Sequence, residues 1–312
     1  MAWKSFLAKG VAAKIEAGGY GVDSVPVVGT DALRISGDLW SVVRIHEQWP
    51  NKRNEVAGSL PYPVKPGLPR GRWVEAEINW EPRGAGIDAV IEADPLLRCS
   101  GWTAVDGTNK FDYTLGAADH ESASIYFWTG DLLIKAVGCR GSLRWSMSSG
   151  RINAWRFLIR GRLGAEPATT ALPGGFAYDT TDALSAVGLT CSVGAWTPAL
   201  ATCEFTQGAD PQLSEDANQT DGLGEFDWAE CQPTFAVTAR KPPLATYDPY
   251  ADHKARTSRA ILATLGSVAF NRLKLSCPEA YVNAPEPATS QGFIDHVLSY
   301  DIAGTTPTIT SD

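Results

Sequence analysis

The residues best placed to do chemistry are Glu75 and Glu77, two apart within RWVEAEINW, a spacing that sets both carboxylates on one face of a strand. Paired carboxylates can divide acid and base duties in glycoside hydrolysis, but any acidic β protein of this length carries several such pairs. The histidines, His46, His120, His253 and His296, are far apart and show no metal-ligand spacing. The stretch Asp216 to Gly222 opens like a calcium loop, yet Asp221 stands where an EF-hand needs glycine, so it reads as an acidic turn. Phosphate-binding, dinucleotide-binding, zinc-protease and nucleophile-elbow motifs are all missing. The expectation is a non-enzyme with no catalytic residue, metal or cofactor.

Composition narrows the class. The chain has 312 residues, 44% of them hydrophobic and 20% charged, enough to bury real cores and too apolar for disorder. Thirty Gly, twenty Pro and eleven Trp indicate many turns between aromatic-rich strands. A formal charge of -8 argues against a sequence-reading nucleic-acid binder, which needs a basic stripe. No apolar run approaches the length of a membrane span, and Lys9 and Lys14 interrupt the N-terminus where a secretory signal would be apolar. The six cysteines are scattered without C-x-x-C and read as small buried hydrophobes in a reducing cytoplasm.

The elements follow one order twice. Leu33 to Trp49 alternates at the strand period, a Pro-rich loop over 50–72 follows, and then a strand puts Trp73, Glu75, Glu77 and Asn79 on one face. A short helix is expected at Gly86 to Leu97, and hairpin-joined strands run to Gly164. The second half gives strands, a long acidic loop over 207–230, the strand PTFAVTARKP, a helix over about Asp252 to Leu265, and a closing hairpin. The reading is two units, 1–165 with an N-terminal arm over 1–30, and 166–312, joined by a linker from Gly164 to Gly175. From Gln48 to Arg72 the chain carries five basic residues and one acid, and from Gln207 to Glu230 seven acids and no base. Most charge runs are solvated faces; here the opposite signs suggest that the two loops meet across copies of the chain.

Several segments resemble the tail tube (major tail) proteins of phages with long non-contractile tails. The lead of that family is matched by Lys14, Glu16, Tyr20, Gly21, Asp23 and Pro26. DPLLRCSGW resembles its P-L-L-R segment, and LLIKAVGCRGSLRWSMSSG its K-x-x-G-x-R-G hairpin. The resemblance implies a mainly β protein of two tandem tail-tube-like β-sandwich or barrel units, each with a flanking short α-helix. Strands from several copies would share a large ring-closed β-barrel. Trimeric, pseudo-hexameric rings, or hexameric ones if the second half decorates the exterior, would stack into a tube in the virion tail, assembled in the bacterial host cytoplasm. With about four long strands from each half, three chains give about 24 strands and a barrel roughly 45 Å across, wide enough for duplex DNA.

By the same resemblance the partners are copies of itself, the tail tip, tail terminator and tape measure proteins, and double-stranded DNA that passes without specific binding during ejection; no membrane is involved. Candidate inter-ring contacts are Lys52, Arg53, Lys65 and Arg70 in the first loop and Asp210, Glu215, Asp216 and Asp221 in the second. Candidate luminal acids, which would repel phosphates, are Glu75, Glu77 and Asp295. The competing reading from another class is a secreted carbohydrate-binding β-sandwich, which would share the tryptophans and the acidity.

Overall fold

Alternation in RWVEAEINW becomes strand β5 (Arg72–Trp80) in the computed structural model: Val74, Ala76, Ile78 and Trp80 are buried, and Glu75, Glu77 and Asn79 stand on the other face. The structure describes residues 9–36, 43–47, 71–87, 89–116, 121–148, 154–184, 188–216, 218–219, 222–290 and 293–312. Before β5 come β1 (Lys9–Ile15), β2 (Ala32–Leu33), β3 (Ile35–Ser36) and β4 (Val43–Glu47). After it come α1 (Asp94–Arg98), the hairpin β6 (Trp102–Gly107) and β7 (Lys110–Leu115), then β8 (Ala123–Thr129), β9 (Leu132–Ser148), β10 (Trp155–Leu163) and β11 (Ala168–Thr169). The remainder folds as β12 (Thr190–Val193), β13 (Leu200–Thr206), β14 (Ala209–Glu215), β15 (Leu223–Cys231), β16 (Thr234–Arg240), α2 (Pro249–Ala255), β17 (Ser258–Val268), β18 (Asn271–Val282), β19 (Glu286–Ser290), β20 (Phe293–Ile302) and β21 (Thr308–Ser311). The protein is mainly β.

One sheet spans both halves in the order β4-β5-β10-β9-β13-β16-β20-β19, with every neighbour antiparallel. It is open, not closed into a barrel. The seam between halves is β9 against β13, with Thr202 opposite Ser148 and Thr206 opposite Arg144. The N-terminal part of β9 leaves this sheet to pair with β8, which pairs with β1. The bend falls at Gly138, where φ is +60° and a Cβ would lie 2.7 Å from the Tyr20 ring, so only glycine fits. β18 divides similarly, pairing with β17 and β21 along its length and with β20 at its end.

The inner face of the wide sheet is aromatic. Trp80, Trp145, Trp155, Phe157, Phe205 and Phe235 are all fully buried, and Trp155 lies 5.2 Å from Trp80 and 5.1 Å from Trp145 between ring centroids. Truncating Trp155 to alanine is expected to cost about 3–5 kcal/mol, read as a fall in the urea midpoint without a change in slope.

Several expectations are corrected. The first helix is one turn, Asp94–Arg98, because Pro95 begins it instead of weakening its end. The second stops at Ala255, where Arg256 takes a left-handed φ of 51° and caps it. Residues 258–268 are strand: Ile261, Ala263 and Leu265 point inward while Leu262 is exposed. The acidic 207–230 segment is a two-stranded sheet, β14 against β15, not a loop. The linker packs onto the first half: β11 pairs with β9, and Phe176 and Leu172 cover Trp128. The Pro-rich segment lies outside the described residues except for Gly71 and Arg72.

Candidate assembly surface

The outer face of the wide sheet is a lattice of matched charges. Arg160 reaches Glu75 at 3.0 Å, Arg156 reaches Glu77 at 3.0 Å, and Arg144 bonds Glu204 across the β9–β13 seam. His46 stacks on Trp73, 5.2 Å between ring centroids, and lies 3.9 Å from Glu75. Each pair adds little stability on a solvated strand face, but together they cancel charge locally. Glu75 and Glu77 therefore share one face as expected, yet arginines neutralise both, so they do not form a repulsive acidic patch. Asp295, opposite Arg240 near the start of β20, falls on the same face by register, though it is only 7% exposed.

The β14–β15 hairpin is docked on the first half. Arg140, buried in β9, donates to the Phe226 carbonyl at 2.5 Å and lies 3.5 Å from both Glu225 and Asp227. Its guanidinium sits between the Tyr20 and Trp228 rings, 5.0 and 5.8 Å from their centroids. Trp228 Nε1 donates to the Gly141 carbonyl at 2.7 Å, and Phe226 N donates to the Tyr20 hydroxyl at 2.8 Å. Arg160 bonds Asp210 and the Pro211 carbonyl, both at 2.8 Å. Arg140→Ala is expected to lower stability by about 2–3 kcal/mol, since a charged hydrogen bond is lost in a buried setting. Hydrogen exchange should then report loss of protection in residues 209–231 ahead of the rest.

The proposed contact residues sort accordingly. Asp210 is engaged within its own chain, while Glu215 and Asp216 lie at the exposed outer end of the hairpin. The Asp216 carboxylate accepts from Asn218 N at 2.9 Å, which holds it below its ordinary range. Lys52, Arg53, Lys65, Arg70 and Asp221 lie outside the described residues. β5 and β16 run the same way in the sheet, so both strands begin at one end of it. Gly71 and Leu223 in fact adjoin there.

A second set of residues fixes the N-terminal arm. Glu16, 9% exposed, accepts four hydrogen bonds, from Gly21 N at 2.7 Å, Ser122 Oγ at 2.6 Å, Ser124 Oγ at 2.8 Å and Gly138 N at 2.8 Å. Asp23 accepts from the Tyr126 hydroxyl at 2.5 Å. Glu16, Tyr20, Gly21 and Asp23 thus converge on the bend of β9. Gln207, 1% exposed, is a further joint that sequence reasoning missed: its carbonyl accepts from Trp102 Nε1 and Leu143 N, and its amide donates to the Ser100 carbonyl. No local pattern marks Gln207; Arg140 is the arginine of the K-x-x-G-x-R-G segment, but its hairpin partners lie far away in sequence.

The wide sheet ends in two edges. Among the described residues β4 pairs only with β5, and β19 only with β20. Among the described residues no group of three or more His, Cys, Asp or Glu could hold a metal ion. No protein-family model matches the chain, and no curated protein matches it.

Proposed function

We propose that this chain is a structural protein that polymerises into a hollow tube, the major tail tube protein of a long non-contractile phage tail, and that its halves are tandem copies of one tail-tube-like unit. The pairing scheme supports the duplication. β4-β5-β10-β9 in the first half corresponds to β13-β16-β20 followed by β18 and β19 in the second. β1 against β8 corresponds to β12 against β17, and β11 on β9 to β21 on β18.

One observation carries the reading: the open edges are the counterparts of the two edges that the chain already joins internally. β19 corresponds to the end of β9, and β4 corresponds to β13. The β9–β13 seam is therefore a template for β19 of one copy against β4 of the next. Pro287 on β19 removes one backbone donor and shortens such a ladder without forbidding it. Eight strands per chain make about 24 in a ring of three, a barrel roughly 45 Å across with no exposed edges.

The charge-matched face would line the bore. Among the described residues phosphates then meet carboxylates and arginines that are mostly paired already, with Arg44 the exposed exception, so DNA finds few free cations on which to displace its counterions. Negative-stain microscopy of the purified full-length protein is expected to reveal hollow, striated tubes; isolated globules under all conditions and in virions would contradict the reading. Glu77→Lys with Glu204→Lys, which spares the Arg160 contacts of the hairpin, is expected to make tubes retain duplex DNA at low salt and release it at high salt. Retention is measured by co-sedimentation.

A further inference from the structure

We propose that successive rings meet along the line of β16, with an exposed apolar knob at the end of that strand in one copy seated in a cleft at its beginning in a second copy. This contact rests on the tube reading above. The knob is centred on Ile294, 59% exposed and held beside Lys241, whose backbone N donates to the Ile294 carbonyl at 3.1 Å, with the 53% exposed Leu244 three residues beyond Lys241 in the chain. The cleft has a volume of about 170 Å³ and lies between the acidic hairpin and the base of the β6–β7 hairpin. Leu115, Ala209, Trp228 and Cys231 line it, and Gly101 lets the Trp228 ring approach to 3.6 Å of where its Cβ would be.

Three features favour a second copy as the occupant. Cys231 comes just before β16 and Lys241 just after it, so cleft and knob mark opposite ends of one strand about 23 Å long. Such an arrangement repeats head to tail without closing, as filament growth requires. The charges also match: Glu230 lines the cleft, whereas the cation Lys241 adjoins the knob. The cleft is mainly apolar and small, suited to a branched aliphatic side chain and not to an extended ligand.

Cys231 supplies a natural reporter, being exposed while Cys99, Cys139, Cys191, Cys203 and Cys277 are buried. N-ethylmaleimide is expected to label Cys231 readily in unstacked protein and at least about tenfold more slowly in tubes, because a covered thiol reacts only through opening. Labelled protein should still close rings but not stack them. Lys241→Glu should likewise block tube growth, and adding Glu230→Lys should restore it. Tubes in which Cys231 reacts as fast as in free protein, or labelled protein that stacks normally, would overturn this contact and leave the tube reading standing. Wild-type protein that never forms rings or tubes would overturn both.

Discussion

Glu16→Ala is expected to destabilise the fold by about 3–5 kcal/mol, because it strands donors that now share one buried carboxylate. The orphaned groups include Gly21 N and Gly138 N, which cannot rotate towards water as the Ser122 and Ser124 hydroxyls can. Gly138 marks the bend that carries β9 from one sheet into the next, so the loss spreads to the arm and to the Tyr20 ring that supports Arg140. Glu16→Gln keeps one acceptor oxygen but turns an amide donor against the others, and should recover only part of the loss. Urea unfolding measures both. A change below about 1 kcal/mol for the alanine variant would show that the arm is not fixed through this carboxylate.

The second large effect concerns the edge. Arg44→Pro and Ile45→Pro each remove one backbone donor from β4, and because adjacent N–H groups point to opposite sides of a strand, one of the two spares the ladder with β5. That variant is expected to fold with an unchanged thermal midpoint and to stay monomeric in sedimentation. Val105→Pro is the matched control: β6 is also an edge among the described residues, paired only with β7, and has no counterpart in the internal seam. It should assemble normally. Loss of assembly in Val105→Pro with retention in both β4 variants would assign the ring contact to the wrong edge.

Strand positions were legible where apolar and polar residues alternate over a long run, as in β5, whose two faces follow directly from its sequence. Residues 258–268 misled because Ile261, Leu262 and Leu265 fit a helical stripe as well as Ile261, Ala263 and Leu265 fit a strand; a short apolar run does not decide between the periods. The acidic hairpin misled for another reason: its net charge obscured the alternation of Phe226 and Trp228 with the acids between them. That Glu75 and Glu77 share a face was readable from spacing, but Arg156 and Arg160, which cancel them, come from a strand some eighty residues on. The same holds for Arg140 and its hairpin. Partners across such separations are set by the sheet order, and no local pattern encodes them.

The most direct test of a ring-forming tube subunit is cryo-electron microscopy of the assembled protein, viewed down the tube axis. The account predicts three copies per ring, a continuous wall of about 24 strands, and β19 of each copy antiparallel to β4 of the next. A discrete monomer with both edges free, or an assembly in which β4 and β19 never meet, would contradict it.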